Sequence, residues 1–159
     1  MKTTTAIAAL LFLCLNSYSQ VSPVDNTGTS IGGYDVVAYF NAGKAVKGNP
    51  ENVYELEGVH YFFSSKENQK LFEANPQKYL PQYDGYCALA VSYGKKISID
   101  PKTFKIIDGK LYLFFNGLVR GKQVNSQDTW DKSEARLLQK ADDLWPDVKK
   151  KKFKDTDSL

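Results

Sequence analysis

The 159-residue sequence holds one histidine and two cysteines, and one of the cysteines, Cys14, lies close to the N-terminus. A zinc or type 2 copper site built from several histidines is therefore excluded within one chain. The sequence also lacks the G-x-S-x-G, H-E-x-x-H, phosphate-loop and dinucleotide-binding patterns. These absences disfavour ordinary hydrolase and nucleotide chemistry, so we expect a protein that is not an enzyme.

Long hydrophobic runs are also missing. The longest, residues 6–15, has about ten residues, whereas a membrane-spanning helix needs roughly 20. A lysine precedes this run and the small residues of 17–19 follow it, a pattern typical of a secretory signal. A lipid anchor on Cys14 is disfavoured because Leu13 stands where a small residue is expected. We therefore predict a signal peptide at residues 1–19, export to the periplasm or the medium, and no transmembrane segment.

An excess of positive charge is missing outside the C-terminus. The formal net charge is +3, but the stretch "KKKKFK" at residues 149–154 contributes five lysines by itself. The rest of the chain therefore offers no basic face for nucleic acid. A terminal lysine run is typically solvated, so we predict a disordered tail at residues 147–159.

Two β-hairpins are predicted from alternating strand patterns around tight turns. Residues 53–57 and 59–63 flank Glu57-Gly58, and "FKIID" and "KLYLFF" flank Asp108-Gly109. The segment "GYDVVAYF" at residues 33–40 is predicted as a strand or a tightly packed irregular stretch.

Two helices are predicted to pack on these hairpins. The first begins at Ser64 or Ser65 as N-cap and stops at Asn75-Pro76; the second follows the apolar spacing from Trp130 to Trp145 and ends at Pro146. The chain left after cleavage is the size of one domain. We predict a small single α+β domain at residues 30–146, preceded by a flexible lead at residues 20–29.

Cys87, in "QYDGYCALAV", is the cysteine expected to remain after export, so no intramolecular disulfide is possible. Its apolar neighbours would raise the pKa of the thiol and make it an inert core residue. The functional alternative is a thiolate paired with His60 as metal ligand or base. His60 itself is either a half-exposed strand residue or that partner.

Tyrosine is abundant, with ten in the chain. Most of these side chains suit a core or its rim, but a tyrosine-lined pocket for a small ligand is the alternative. Asp35 and Asp84 stand beside tyrosine and glycine, a setting typical of turns. The predicted ligand-binding residues are Tyr39, Tyr61, Tyr83, Tyr86 and Asp35.

Five segments in this order resemble exported YHS-domain proteins: "GYDVVAYF", "VHYFFSS", "NQKLFEANPQKYLPQYDGYCA", "DGKLYL" and "ADDLWP". They span residues 33–146. YHS domains are named for a Tyr-His-Ser motif and occur in copper-transporting ATPases and some phenol hydroxylases. The resemblance implies a YHS-like fold and metal handling, with copper favoured.

The chain departs from the family's thiol pattern at each expected position, where Ala38, Ser64 and Asn68 stand instead of cysteine. Phe62 replaces the eponymous histidine, and His60, two residues earlier on the predicted strand with Tyr61 between them, points to the side opposite Tyr61. Any metal ion would therefore have to use Cys87, His60 or tyrosine, and a pair of Cys87 and His60 would suit Cu(I).

Three functions are open at this point. The first is an exported, non-enzymatic YHS-like domain that binds a metal ion, copper being favoured, or hands it to a partner. The second is an accessory module whose tyrosine-rich cleft takes a small ligand or a partner protein without metal. The third is a thiol-dependent enzyme that uses Cys87 and His60.

Overall fold

The computed structural model describes residues 21–153, and its strands form three two-stranded antiparallel sheets within that range. The two predicted hairpins are confirmed. At each predicted turn, Glu57-Gly58 and Asp108-Gly109, both residues have positive φ, which matches the twist of the flanking strands. A third hairpin turns at Arg120-Gly121 in the same way. The strands are β1 (Asn49–Leu56), β2 (Val59–Phe63), β3 (Asp100–Ile107), β4 (Lys110–Phe114), β5 (Asn116–Val119) and β6 (Lys122–Asn125).

Six α-helices accompany these hairpins in residues 21–153, which confirms the predicted α+β class of a small single domain. The predicted cap of the first long helix is Ser65, whose side chain accepts a hydrogen bond from the Asn68 amide. Residues 33–40 form no strand; a 3₁₀ turn and a short helix occupy this part of the chain. The helices are α1 (Ala38–Asn41), α2 (Lys66–Ala74), α3 (Pro76–Tyr79), α4 (Ala88–Val91), α5 (Ser126–Asp131) and α6 (Glu134–Lys149).

The predicted stop at Pro146 is wrong, because Pro146 lies inside α6. Proline in a helix interior costs about 3 kcal/mol through one lost hydrogen bond and a clash. Packing beyond it offsets this cost: Val148 is fully buried in the core. Lys96 also donates to the carbonyls of Lys149 and Lys151 past the helix end.

Residue 147, the predicted start of a disordered tail, lies in α6 instead. Residues 147–149 are helical, and Phe153 contacts the ring of Tyr86 at a centroid distance of 5.2 Å. Residues 154–159 lie outside the described part of the chain, as do the predicted signal peptide at residues 1–19 and residue 20.

The lead at residues 21–29 differs from the predicted flexible segment because the domain holds it in place. Val21 and Ile99 exchange backbone hydrogen bonds of 2.8 and 3.0 Å. The Gly28 carbonyl accepts from the His60 amide at 2.8 Å, next to a bridge between Thr29 and His60.

Among residues 21–153, no helix combines the length and hydropathy that crossing a bilayer requires.

Two clusters of buried apolar side chains form the core. The first lies between the β1–β2 hairpin and α2 and includes Tyr61, Phe63 and Phe72. The second lies between β4 and the C-terminal helices and includes Tyr83 and Trp130. A cleft opens on the surface where residues of the two clusters meet.

Candidate functional site

The cleft has a volume of about 640 Å³, and aromatic rings share its lining with polar and charged side chains. Four rings contribute to it: Tyr61 from β2, Tyr83 from the turn before α4, Tyr86 after that turn, and Trp145 from α6. We call it the aromatic cleft. Ligand sites in proteins commonly enclose about 300–1,000 Å³ and combine apolar walls with a few polar groups.

Tyr83 is the most firmly held of these rings. Its hydroxyl donates to Asp142 Oδ1 at 2.8 Å, and its ring lies 5.6 Å from Trp145 and 5.7 Å from Tyr112. Burial raises the pKa of the Tyr83 phenol, and the hydrogen bond to Asp142 raises it further. Tyr83 therefore stays neutral and serves as a fixed wall of the cleft.

Tyr61 lines the cleft from within the first cluster. Its ring packs on Phe72 at 4.9 Å, and only 9% of the residue is exposed. Burial raises the pKa of Tyr61, and a side-chain hydrogen bond with Ser30 opposes that shift. At this place a packed ring lines the cleft.

The turn that carries Tyr83 has a strained backbone. Tyr83, Asp84 and Gly85 have φ values of 55°, 50° and 83°, so three consecutive residues are left-handed. For a residue other than glycine this conformation costs roughly 1–2 kcal/mol. Glycine suits position 85 because φ is 83° there, and a Cβ would also lie 3.2 Å from Pro23 Cβ. The turn places Asp84 in the lining of the cleft.

Two lysines line the end of the cleft nearest the C-terminus of α6, and we call them the basic rim. Lys96 Nζ lies 4.9 Å from the Tyr86 ring centroid and donates to the carbonyls of Lys149 and Lys151 at 2.9 and 2.8 Å. Lys149 Nζ lies 5.9 Å from the Trp145 ring and 3.5 Å from Asp84 Oδ1. Each ammonium group therefore sits beside an aromatic wall.

Three of the predicted ligand-binding residues, Tyr61, Tyr83 and Tyr86, meet in the cleft, but Tyr39 and Asp35 do not line it. Tyr39 is 1% exposed, and its hydroxyl donates to the Pro101 carbonyl at 2.8 Å. Asp35 is fully buried. This corrects the prediction for both residues, because the fold itself uses their polar atoms.

Asp35 instead organises a cluster of hydrogen bonds. Oδ1 accepts from the amides of Val37 and Ala38 at 2.9 and 3.2 Å. Oδ2 accepts from the Ser64 amide and hydroxyl at 2.8 and 2.6 Å and from Asn68 Nδ2 at 2.7 Å. Ala38, Ser64 and Asn68, where the YHS pattern has thiols, thus bond to one carboxylate.

Cys87 is 1% exposed, and burial raises the pKa of its thiol, as the sequence predicts. Its Sγ lies 3.3 Å from Ser126 Oγ and accepts from the Phe115 amide at 3.4 Å. A metal ion bound there would have to displace these contacts inside the core.

His60 lies in a different setting from Cys87. Its side chain is 41% exposed, and its Nε2 lies 3.7 Å from a carboxylate oxygen of Glu55 on the neighbouring strand. The contacts of Cys87 and of His60 in the described part of the chain have no partner in common. Among residues 21–153, no three side chains of His, Cys, Asp or Glu form a group that could hold a metal ion. Copper ligation by this pair stays a prediction.

Sequence reasoning missed Trp145 and the basic rim as cleft residues. The helical spacing of Trp145 predicts a core position. Its ring does pack on Tyr83, but the residue also lines the cleft. Lys96 carries no such signal, since its place depends on where α6 ends.

In comparisons with known proteins, the chain matches no family model, no curated protein and no solved structure. The YHS resemblance therefore stays a prediction.

Proposed function

We propose that this protein is an exported, non-enzymatic binding domain whose aromatic cleft takes a small organic ligand that contains a ring. The observation that carries this proposal is the convergence of Tyr61, Tyr83, Tyr86 and Trp145 from separate segments of the chain on one cleft. Export rests on the sequence pattern of residues 1–19.

A ring suits this cleft because aromatic walls offer dispersion contact and favour edge-to-face or offset stacking. Polar groups at the margins, including Gln77 and Gln82, could orient the polar substituents of a ligand. The held positions of Tyr61 and Tyr83 support the proposal further, since a preformed wall loses little side-chain entropy when a ligand binds.

A binding role fits the lining better than catalysis does. Neither His60 nor Cys87 is among the described residues that line the cleft. The usual pairing of a nucleophile with a histidine base is therefore not offered there. Asp84 and Glu57 supply carboxylates to the lining. The carboxylate of Asp84 is already engaged, because it forms an ion pair with Lys149.

Saturation-transfer NMR with a library of ring-containing fragments tests the proposal on the mature protein. We expect several fragments to bind, and Tyr86→Ala to weaken them about tenfold by removing one wall. Tyr93→Ala is the matched control, because Tyr93 is 55% exposed and does not line the cleft. Equal loss in both variants, or no fragment that binds, would overturn the proposal.

Metal handling, with copper favoured, is the function that the YHS resemblance implies. It is weaker on physical grounds than ring binding, because its proposed ligand Cys87 lies in the core with its Sγ bonded to Ser126 and Phe115. Measuring the metal content of the protein decides between the two functions.

A further inference from the structure

We propose that the ligand of the aromatic cleft is an anion, a ring-bearing carboxylate whose acid group binds between the two lysines of the basic rim. This inference rests on the proposed function and names the ligand class for the same cleft. The geometry that carries it is the position of two ammonium groups beside the aromatic walls at one end of the cleft.

The positions of the two lysines favour a ligand that is apolar at one end and anionic at the other. Lys96 Nζ lies 4.9 Å from the Tyr86 ring and Lys149 Nζ lies 5.9 Å from the Trp145 ring. A ligand ring that lies in the cleft would bring its substituent to the rim. Lysine binds a carboxylate through charge-assisted hydrogen bonds, which are stronger than neutral ones.

The charge balance at the rim leaves room for an anion. Two lysines face a single acidic partner there, Asp84, whose contact with Lys149 is 3.5 Å long. Both side chains of this pair are more than half exposed, at 60% and 52%, so the pair holds little free energy and can exchange its partner. Burial lowers the pKa of Lys96, and although Asp84 opposes this shift, nearby Lys149 adds to it, so an added negative charge would stabilise both ammonium groups.

A cationic ligand suits the cleft less well. Aromatic walls often bind cations, but here lysine side chains of the protein already stand near the faces of Tyr86 and Trp145. A second cation at these rings would be repelled by both. Glu57, the other acidic residue of the lining, comes from the β1–β2 turn and not from the segments that carry the rim.

The test compares two nearly isosteric probes, phenylacetate and phenylacetamide, titrated into the mature protein and followed by amide chemical shifts. We expect phenylacetate to bind about tenfold more tightly, with a preference that falls as salt is added. Lys149→Gln should reduce the preference several-fold, because phenylacetate loses more affinity than phenylacetamide does. The matched control is Lys150→Gln, since Lys150 is exposed, follows Lys149 directly and does not line the cleft.

Asp84→Asn supplies a change in the opposite direction. It removes the carboxylate that competes for Lys149, and asparagine tolerates the left-handed backbone, so phenylacetate should bind more tightly to this variant. Equal affinity for the two probes, or a preference that Lys149→Gln leaves unchanged, would overturn the anion proposal and leave ring binding standing. Failure of both probes together with the whole fragment library would overturn the proposed function as well.

Discussion

Replacing Asp35 by alanine should destabilise the domain strongly. The carboxylate is fully buried and accepts five hydrogen bonds, two from amides at the start of α1 and three from Ser64 and Asn68. Ser64 is exposed and Asn68 is partly exposed, so their side chains can turn to water. The Ala38 amide keeps its bond to the Asp35 backbone carbonyl at 3.2 Å, but the buried Val37 amide loses its acceptor, and such an unsatisfied donor costs about 1–3 kcal/mol. Together with the other hydrogen bonds to the carboxylate, we expect a loss of about 2–4 kcal/mol in the free energy of unfolding.

Urea unfolding followed by far-UV circular dichroism measures this loss. Asp35→Asn should lose about half as much, because it can keep the acceptor that faces α1 while placing a donor against the donors of Ser64 and Asn68. The control is Asp143→Ala, an exposed aspartate that accepts from Gln139 and whose loss should change the free energy by less than about 0.5 kcal/mol. A loss below about 1 kcal/mol for Asp35→Ala would refute the view that this cluster holds the first helix to the hairpin.

Three further predictions concern buried side chains. Iodoacetamide should label Cys87 only after denaturation, since the thiol is 1% exposed; labelling of the folded protein would contradict its placement in the core. If Cys87 is a copper ligand, mass spectrometry of Cu(I)-loaded protein should find near-stoichiometric copper that Cys87→Ser loses, and equal content in both would end that hypothesis. Burial raises the pKa of Tyr112 from 10.0 to about 12, so its contribution to stability is fully present below pH 10 and is lost as the pH rises to 12. Tyr112→Phe should lessen this alkaline loss, which pH-dependent unfolding would show.

Local signals in the sequence account for the parts of the fold that were predicted. The turns at Glu57-Gly58 and Asp108-Gly109 end in the glycine that a two-residue hairpin needs, and Ser65 caps α2 by itself. The third hairpin turns at Arg120-Gly121, where arginine takes a left-handed conformation that its residue type does not favour. Pro146 misled the prediction for the opposite reason: its local preference is strong, but the burial of Val148 outweighs it.

The candidate site could be predicted only in part, because its residues meet through long-range packing. The abundance of tyrosine predicted an aromatic pocket, and Tyr61, Tyr83 and Tyr86 do line one. The same reasoning placed Tyr39 with them, although its hydroxyl is used by the Pro101 carbonyl in the core. Composition cannot separate a tyrosine whose hydroxyl bonds to the backbone from one whose ring faces a cleft. That difference depends on the arrangement of elements far apart in the chain.

The left-handed turn at Asp84 links the stability of the domain to the shape of the cleft, and a pair of variants tests it. Asp84→Gly and Asp84→Ala both remove the carboxylate and its contact with Lys149, so they differ only in the backbone. At an ordinary exposed site glycine is the less stable of the two, since it loses more conformational freedom on folding. At a φ of 50° the order should invert, with Asp84→Gly more stable than Asp84→Ala by about 1 kcal/mol in urea unfolding. If Asp84→Ala proves the more stable, the turn is not left-handed in solution. Asp84 would then not be placed beside Lys149, and the basic rim would lack the acidic partner that an anionic ligand is expected to replace.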